Sequence, residues 1–212
     1  MNCCQCQGIE ELFSQQYVTR ELVRYRAKGP DRTTRMLTEA IEAEAIEGFS
    51  LLDIGGGLGA VQHELLEAGV QNATSVEAST AYLSEARAEV KRRGLSDRVT
   101  YHYGNFVDLA DNIAPADIVT LDRVICCYPD MEKLVGLSAA RARKLYGLVY
   151  PRDVWWTRIW LALENFFYRV RRSPYRAFVH STKAVENVLG INGFVRQFHR
   201  QTLIWQVVVY TR

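Results

Sequence analysis

The chain has 212 residues, 48% of them hydrophobic and 24% charged, with a formal net charge of +2. That length suits one substantial core and is short for two independent ones, and the mix of apolar and charged residues argues against a disordered chain. The first residues lack the basic-then-apolar order of a secretory leader, and no long uninterrupted apolar run occurs, so the sequence reads as cytoplasmic rather than exported or membrane-spanning.

The N-terminus crowds Cys3, Cys4 and Cys6 without the paired spacing of a zinc site, and reads as a frayed thiol cluster. Residues 9–27 place apolar or aromatic side chains at helical intervals up to Lys28-Gly29-Pro30, and a second helix runs from Asp31 or Thr33 to about Ile46. These two helices form an expected cap over residues 9–47. Strands and helices then alternate: strands at 50–54, 73–78, 98–104, 116–124 and 144–151, with helices at 58–68, 79–93 and 130–143 between them. A long helical stretch at 153–170, a shorter helix at 181–190 and two β-rich runs after Gly193 close the chain. The alternation predicts a Rossmann-like three-layer α/β/α sandwich with a mostly parallel seven-stranded sheet and a C-terminal antiparallel hairpin, in one domain of residues 1–212 with an amphipathic helix inserted at 153–180.

The stretch LLDIGGGLGA, residues 51–60, leads from a strand through a glycine turn into a helix N-terminus, a cofactor cradle. Two templates fit. Gly55, Gly57 and Ala60 satisfy the dinucleotide pattern; Gly55, Gly57 and Gly59 satisfy a second pattern preceded by an acid, Asp53. Glu77, ending the next strand, suits ribose hydroxyls in either. Asp53 weighs against pyrophosphate, because a buried carboxylate repels phosphates and attracts a cation. The two preceding helices and the closing hairpin also depart from nicotinamide enzymes, which remain a minor alternative.

In order, DIGGGLG, Glu77, GNF at 104–106, DIVTLD at 117–122 and the hairpin resemble class I S-adenosylmethionine-dependent methyltransferases over about residues 30–212. LDRVICCYP and the N-terminal helices are distantly similar to magnesium-protoporphyrin and ubiquinone O-methyltransferases. The likeness is to bacterial members of undefined substrate. It implies S-adenosyl-L-methionine as methyl donor and S-adenosyl-L-homocysteine as product. It also implies that Asp53, Gly55 and Gly57 line the methionine moiety, with Gly59 permitting close packing behind. Glu77 would take the ribose, and Asn105 and Phe106 would meet the adenine, although the family more often has Asp at Asn105. Asp122 and Arg123 would lie near the sulfur and the acceptor. Tyr25, Arg32 and Thr33 would close over the amino-acid end, with Arg32 pairing its carboxylate.

Methyl transfer from a sulfonium is an in-line displacement in which positioning alone is worth roughly 7–11 kcal/mol. A general base is optional, and the candidates are His180 and Tyr128. No carboxylate cluster accompanies Asp122-Arg123, so no metal is expected. The stretch 153–176 combines an apolar helical stripe with Arg169, Arg171, Arg172 and Arg176, readable as a packed amphipathic helix, a lid for a lipophilic acceptor, or an interfacial helix facing anionic headgroups at the inner membrane face. Residues 1–140 carry 13 Lys and Arg against 21 Asp and Glu, whereas 141–212 carry 13 against 3, which also directs attention to an anionic partner. The leading reading is methyl transfer to a small lipophilic or aromatic acceptor, at oxygen in preference. RNA methylation, without the motif typical of amino-group chemistry, and a non-catalytic membrane or partner-binding module are the alternatives. Oligomeric state is not legible.

Overall fold

The computed structural model describes residues 4–212, with side chains from Gln7 onward, so the expected Cys3, Cys4 and Cys6 thiol cluster lies outside it. The helices are α1 (Cys4–Leu12), α2 (Gln15–Lys28), α3 (Arg32–Glu42), α4 (Ala60–Glu67), α5 (Thr80–Arg92), α6 (Phe106–Leu109), α7 (Met131–Ala139), α8 (Trp155–Val170) and α9 (Thr182–Ile191). The strands are β1 (Ser50–Ile54), β2 (Asn72–Glu77), β3 (Val99–Tyr103), β4 (Ala116–Asp122), β5 (Ala142–Pro151), β6 (Val195–Gln201) and β7 (Trp205–Thr211). They form one sheet in the order β3-β2-β1-β4-β5-β7-β6, parallel through β5 and antiparallel at β7 and β6. This is the expected Rossmann-like sandwich.

Alternation along the strands builds two cores. Leu52, Val119, Leu121, Tyr146, Leu148 and Val208 point to one face, where α7 and α9 contribute Leu134, Val135, Val185 and Leu189. Leu51, Ile118, Val149, Val207 and Val209 point to the other, under Leu37 and Ile41 of α3 and Val61, Leu65 and Leu66 of α4. Period-two burial on both faces is what a parallel sheet sandwiched by helices requires. Gly147 in β5 lets α3 approach: a Cβ there would stand 2.8 Å from Leu37 Cδ1 and 3.1 Å from Ile41 Cδ1.

Three expectations need correction. The helix expected across 9–27 is broken at Phe13-Ser14, because Ser14 adopts an extended conformation (φ −60°, ψ 158°) and starts α2 as its N-cap. The helix expected to 143 stops at Ala139, and its tail belongs to β5, whose pairing with β4 begins at Ala142. The insertion at 153–180 is helical only to Val170. Arg172 then takes a left-handed conformation (φ 56°), and its backbone N–H and that of Ser173 return to the carbonyls of Arg169 and Tyr168, a helix stop usually built on glycine. Residues 173–181 form a strap, pinned where Asn165 exchanges two 2.8 Å hydrogen bonds with Ala177 and where Phe178 N–H donates to the Cys126 carbonyl.

Candidate active site

β1 pairs with β2 on one side and β4 on the other, so the connections leaving their carboxyl ends diverge, and a cavity of about 510 Å³ opens there. Gly55, Gly56 and Gly57 form part of its wall, with φ of 64° and 55° at the first and third. Both values lie in the region that favours glycine. At Gly56 the constraint is space: a Cβ would fall 2.4 Å from Asp53 Oδ2 and 2.4 Å from Gln62 Nε2.

Asp53 is wholly buried at the end of β1. Its carboxylate accepts hydrogen bonds from Gln62 Nε2 (2.9 Å) and Thr120 Oγ1 (2.7 Å), both neutral donors. Burial drives its pKa up to about 7; those hydrogen bonds oppose the shift, and the negative charges of Asp122 and Glu77 add to it. Gln62 also donates to Ser75 Oγ, leaving its own Oε1 buried without a hydrogen-bond partner. Glu77, at the end of β2, accepts from the backbone N–H groups of Gly57 (2.9 Å) and Ser79 (2.8 Å) and so ties the glycine turn to the second strand. Burial raises the Glu77 pKa against those bonds.

The N-terminal helices are fastened over this end by an ionic network. Asp31, between α2 and α3, pairs with Arg24 of α2 and, at 2.8 Å, with Arg123 after β4. Arg123 also meets Asp122 (3.2 Å), and Thr34 of α3 donates to Asp122 Oδ2 (2.5 Å). Arg123 is left-handed (φ 60°), a conformation that disfavours an arginine by roughly 1–2 kcal/mol. The neighbouring carboxylates that hold it there also raise its pKa, against the opposing effect of burial. Below, Arg93 donates to the Tyr25 hydroxyl (3.1 Å), which leaves that hydroxyl to donate to His63 Nδ1 (3.0 Å). Burial pushes Tyr25 up to about 12 and His63 down to about 4.

The far end of the cavity is apolar and aromatic. Trp160 and Leu161 of α8, with Tyr168 and Tyr175, face Tyr128, Cys126 and Cys127, which follow β4. The Cys127 thiol and the Tyr175 hydroxyl are 3.0 Å apart, and the two cysteine sulfurs 3.9 Å.

Residues 51–144 match a family model described as a methyltransferase domain. Over that segment the chain is similar to methyltransferase domains. Its likeness to solved structures extends beyond that segment. Magnesium protoporphyrin IX methyltransferase from Synechocystis PCC 6803, crystallised with bound S-adenosylhomocysteine, is 16% identical, with 98% of this chain and 99% of that one covered at a TM-score of 0.74. A geranyl diphosphate methyltransferase in complex with geranyl diphosphate and sinefungin is 13% identical, covering 84% and 77% at 0.67. The [4+2]-cyclase SpnF is 12% identical, covering 84% and 80% at 0.63. At these identities the structures establish a shared fold. No curated protein matches the chain by sequence.

The cavity gathers Tyr25, Asp53, Gly55, Gly57, Glu77, Asn105, Phe106, Asp122, Arg123 and Tyr128 of the residues picked out from the sequence. Asn105 already has local work: its Oδ1 caps α6 at Val107 N–H, and its Nδ2 donates to Asp108 (3.1 Å) and to the Tyr128 hydroxyl (3.4 Å). Gly59 stands behind the wall as the left-handed N-cap of α4, 3.2 Å (ideal Cβ) from His63 Cε1.

Besides Gly59, three candidates fall outside the cavity lining. Arg32 opens α3 on its solvent side, since the buried positions of that helix are Thr33, Thr34, Leu37, Thr38 and Ile41; the arginines that line the cavity are Arg24 and Arg123. Thr33 is buried, but its neighbour Thr34 reaches the cavity and Asp122. His180 points Nε2 at the carbonyls of Ile125 (2.8 Å) and Tyr128 (3.0 Å), so this nitrogen must carry the proton, and burial holds the imidazole below its ordinary pKa. It positions the segment bearing Tyr128. Asp31, Thr34, Gln62 and Thr120 were missed. Thr34 and Gln62 were readable, lying one helical turn from Leu37 and from Leu58 and Leu66 on apolar faces; Asp31 and Thr120 act through long-range contacts.

Proposed function

We propose that the chain is an S-adenosylmethionine-dependent methyltransferase that methylates a small lipophilic or aromatic acceptor, more specifically at oxygen. One observation carries this: a single cavity joins an acid-lined, glycine-walled end to a largely apolar and aromatic end, where Glu164 accepts from the Tyr168 hydroxyl. The donor end suits a phosphate-free cation. Asp53 has only neutral hydrogen-bond donors, and Gly56 presses backbone where a side chain would displace that acid. Asp53 and the glycine turn would hold the ammonium side of the methionine moiety. Arg24 or Arg123 would meet its carboxylate, Glu77 the ribose and Phe106 the adenine.

Bound there, the donor supplies an electrophilic methyl carbon on a good leaving group. The protein then has to align an acceptor oxygen with that carbon and keep water out, which the fastened α2 and α3 and the wall of Trp160, Leu161 and Tyr168 are placed to do. Tyr128 is the side chain suited to take or relay a proton from a hydroxyl acceptor. The structural neighbours include a magnesium protoporphyrin IX methyltransferase and a geranyl diphosphate methyltransferase; a macrocycle and a prenyl chain are the kinds of apolar group such a wall would face.

Calorimetric titration of the purified chain with S-adenosylhomocysteine should give a micromolar-range dissociation constant that rises in Asp53→Asn and Glu77→Gln. No binding in the parent chain would remove the proposal. Retention of RNA with a steep salt dependence would favour nucleic acid methylation instead.

A further inference from the structure

We propose that the outer face of α8, with its stop at Arg171-Arg172, docks the protein on an anionic lipid bilayer. An amphipathic helix ordinarily turns its apolar stripe inward. Here only Thr157 and Leu161 of the 16-residue helix are buried. Trp155, Ile159, Leu163, Phe166, Phe167 and Val170 are each 53–69% exposed. An apolar surface of that extent on a soluble chain marks a contact site. Leu203, 72% exposed in the β6–β7 turn, is joined to it where Trp156 Nε1 donates to the Leu203 carbonyl (3.1 Å).

Charge selects the occupant. The exposed positions between 155 and 172 include Arg158, Arg169, Arg171 and Arg172 and no acid. Of the two acids in this stretch, Asp153 is paired to Arg158 (2.6 Å), and half-buried Glu164 accepts from Tyr168 and lines the cavity. Aromatic and aliphatic side chains flanked by cations match the acyl boundary and headgroups of an anionic leaflet. A second copy would set like charges against each other across a two-fold axis, with no acid on the face to pair them. Nucleic acid would leave the apolar stripe uncovered.

Because α8 lines the cavity with Trp160 and Leu161 while presenting this face outward, docking places the aromatic end of the cavity beside the acyl region. The acceptor class is then a membrane-partitioned molecule that enters alongside α8; this last step rests on the function proposed above.

The test is flotation of the full-length chain with phosphatidylcholine vesicles made with and without phosphatidylglycerol. The chain should rise with the anionic vesicles and bind the neutral ones at least tenfold more weakly. The L163E/F166E/F167E variant changes exposed positions only and should lose flotation while keeping its circular dichroism spectrum and S-adenosylhomocysteine affinity. The R169Q/R171Q/R172Q variant should bind anionic vesicles roughly a hundredfold more weakly, at about fivefold per arginine, and with a shallower salt dependence. Absence of flotation with anionic vesicles would overturn the proposal, as would undiminished flotation of L163E/F166E/F167E. Sedimentation showing a dimer that this variant dissolves would overturn it in favour of a second copy. Failed docking with intact S-adenosylhomocysteine binding would leave the methyltransferase reading standing; docking without that binding would do the reverse.

Discussion

Asp53→Asn separates what the buried acid does for the fold from what it does for a ligand. Moving a carboxyl from 3.8 to about 7 means that between those values the folded chain keeps a proton the unfolded chain has released. Stability therefore falls as pH rises through that window, and the full penalty, up to ~4 kcal/mol at 1.36 kcal/mol per decade, is present above pH 7. Asparagine removes the charge at nearly the same volume. Its amide group would face one of two donors, but Gln62 can turn over and offer Oε1, which has no partner in the parent chain. Urea unfolding followed by tryptophan fluorescence should show the variant more stable than the parent, by about 1–2 kcal/mol near pH 5 and by more near pH 8. Affinity for S-adenosylmethionine should move oppositely. Losing a charge-assisted contact of about 1.5–3 kcal/mol weakens binding roughly 10- to 100-fold. In the parent chain binding should tighten between pH 6 and 8, with proton release visible in buffers of different ionisation enthalpy. A variant less stable than the parent near pH 8 would refute the argument about the fold. A stabilised variant with unchanged affinity would show that the acid does not face the ligand's cation.

Four further outcomes are expected. Gly56→Ala drives a methyl group into the Asp53–Gln62 pair and should abolish S-adenosylhomocysteine binding by calorimetry, with a stability loss of about 2 kcal/mol or more. Glu89 is fully buried among Arg26, Arg92 and Arg93, whose hydrogen bonds hold its carboxyl down at about 2. Its contribution is present above the ordinary 4.5 and is lost as pH falls through about 2. Glu89→Gln should therefore destabilise by about 2 kcal/mol at neutral pH, discounted for the solvent-exposed arginines, with the gap closing in acid-unfolding titrations. Asp31→Ala removes the acid that Arg24 and Arg123 share, leaving them to Glu21 and Asp122, and should speed amide exchange in α2 and α3 while weakening donor affinity several-fold. Tyr128→Phe should lower kcat at least tenfold with donor affinity unchanged, whereas His180→Gln, which keeps a donor for the two carbonyls, should leave kcat within a few-fold.

The sheet was legible because β1, β4 and β5 contain short apolar runs, the strands alternate with helical patterns bounded by turns, and the order of acid, glycine turn, second acid and closing hairpin could be followed along the chain. The glycine-walled end of the cavity was legible for a similar reason: Asp53, Glu77 and the glycines sit at strand ends, where local sequence decides placement. The lid was less so. Arg32 and Thr33 came from the resemblance, whereas the helical phase set by Leu37 and Ile41 leaves Arg32 on the solvent side, buries Thr33 and brings Thr34 to the cavity. His180 was selected as a titratable group near an aromatic segment, but its two carbonyl partners lie more than fifty residues earlier in the chain, a contact no local pattern encodes. The break at Ser14 was missed because apolar spacing continued through it.

Gly147 lies in mid-sheet, yet its missing side chain sets how low α3 can ride, and α3 carries the hydroxyl that clips to Asp122. An added methyl group at that depth would lift the whole helix and open the clip. A substitution hidden between two layers would then be felt as a loosened cover, and variants selected for slower or faster ligand exchange should turn up on this buried strand as readily as at the cavity rim.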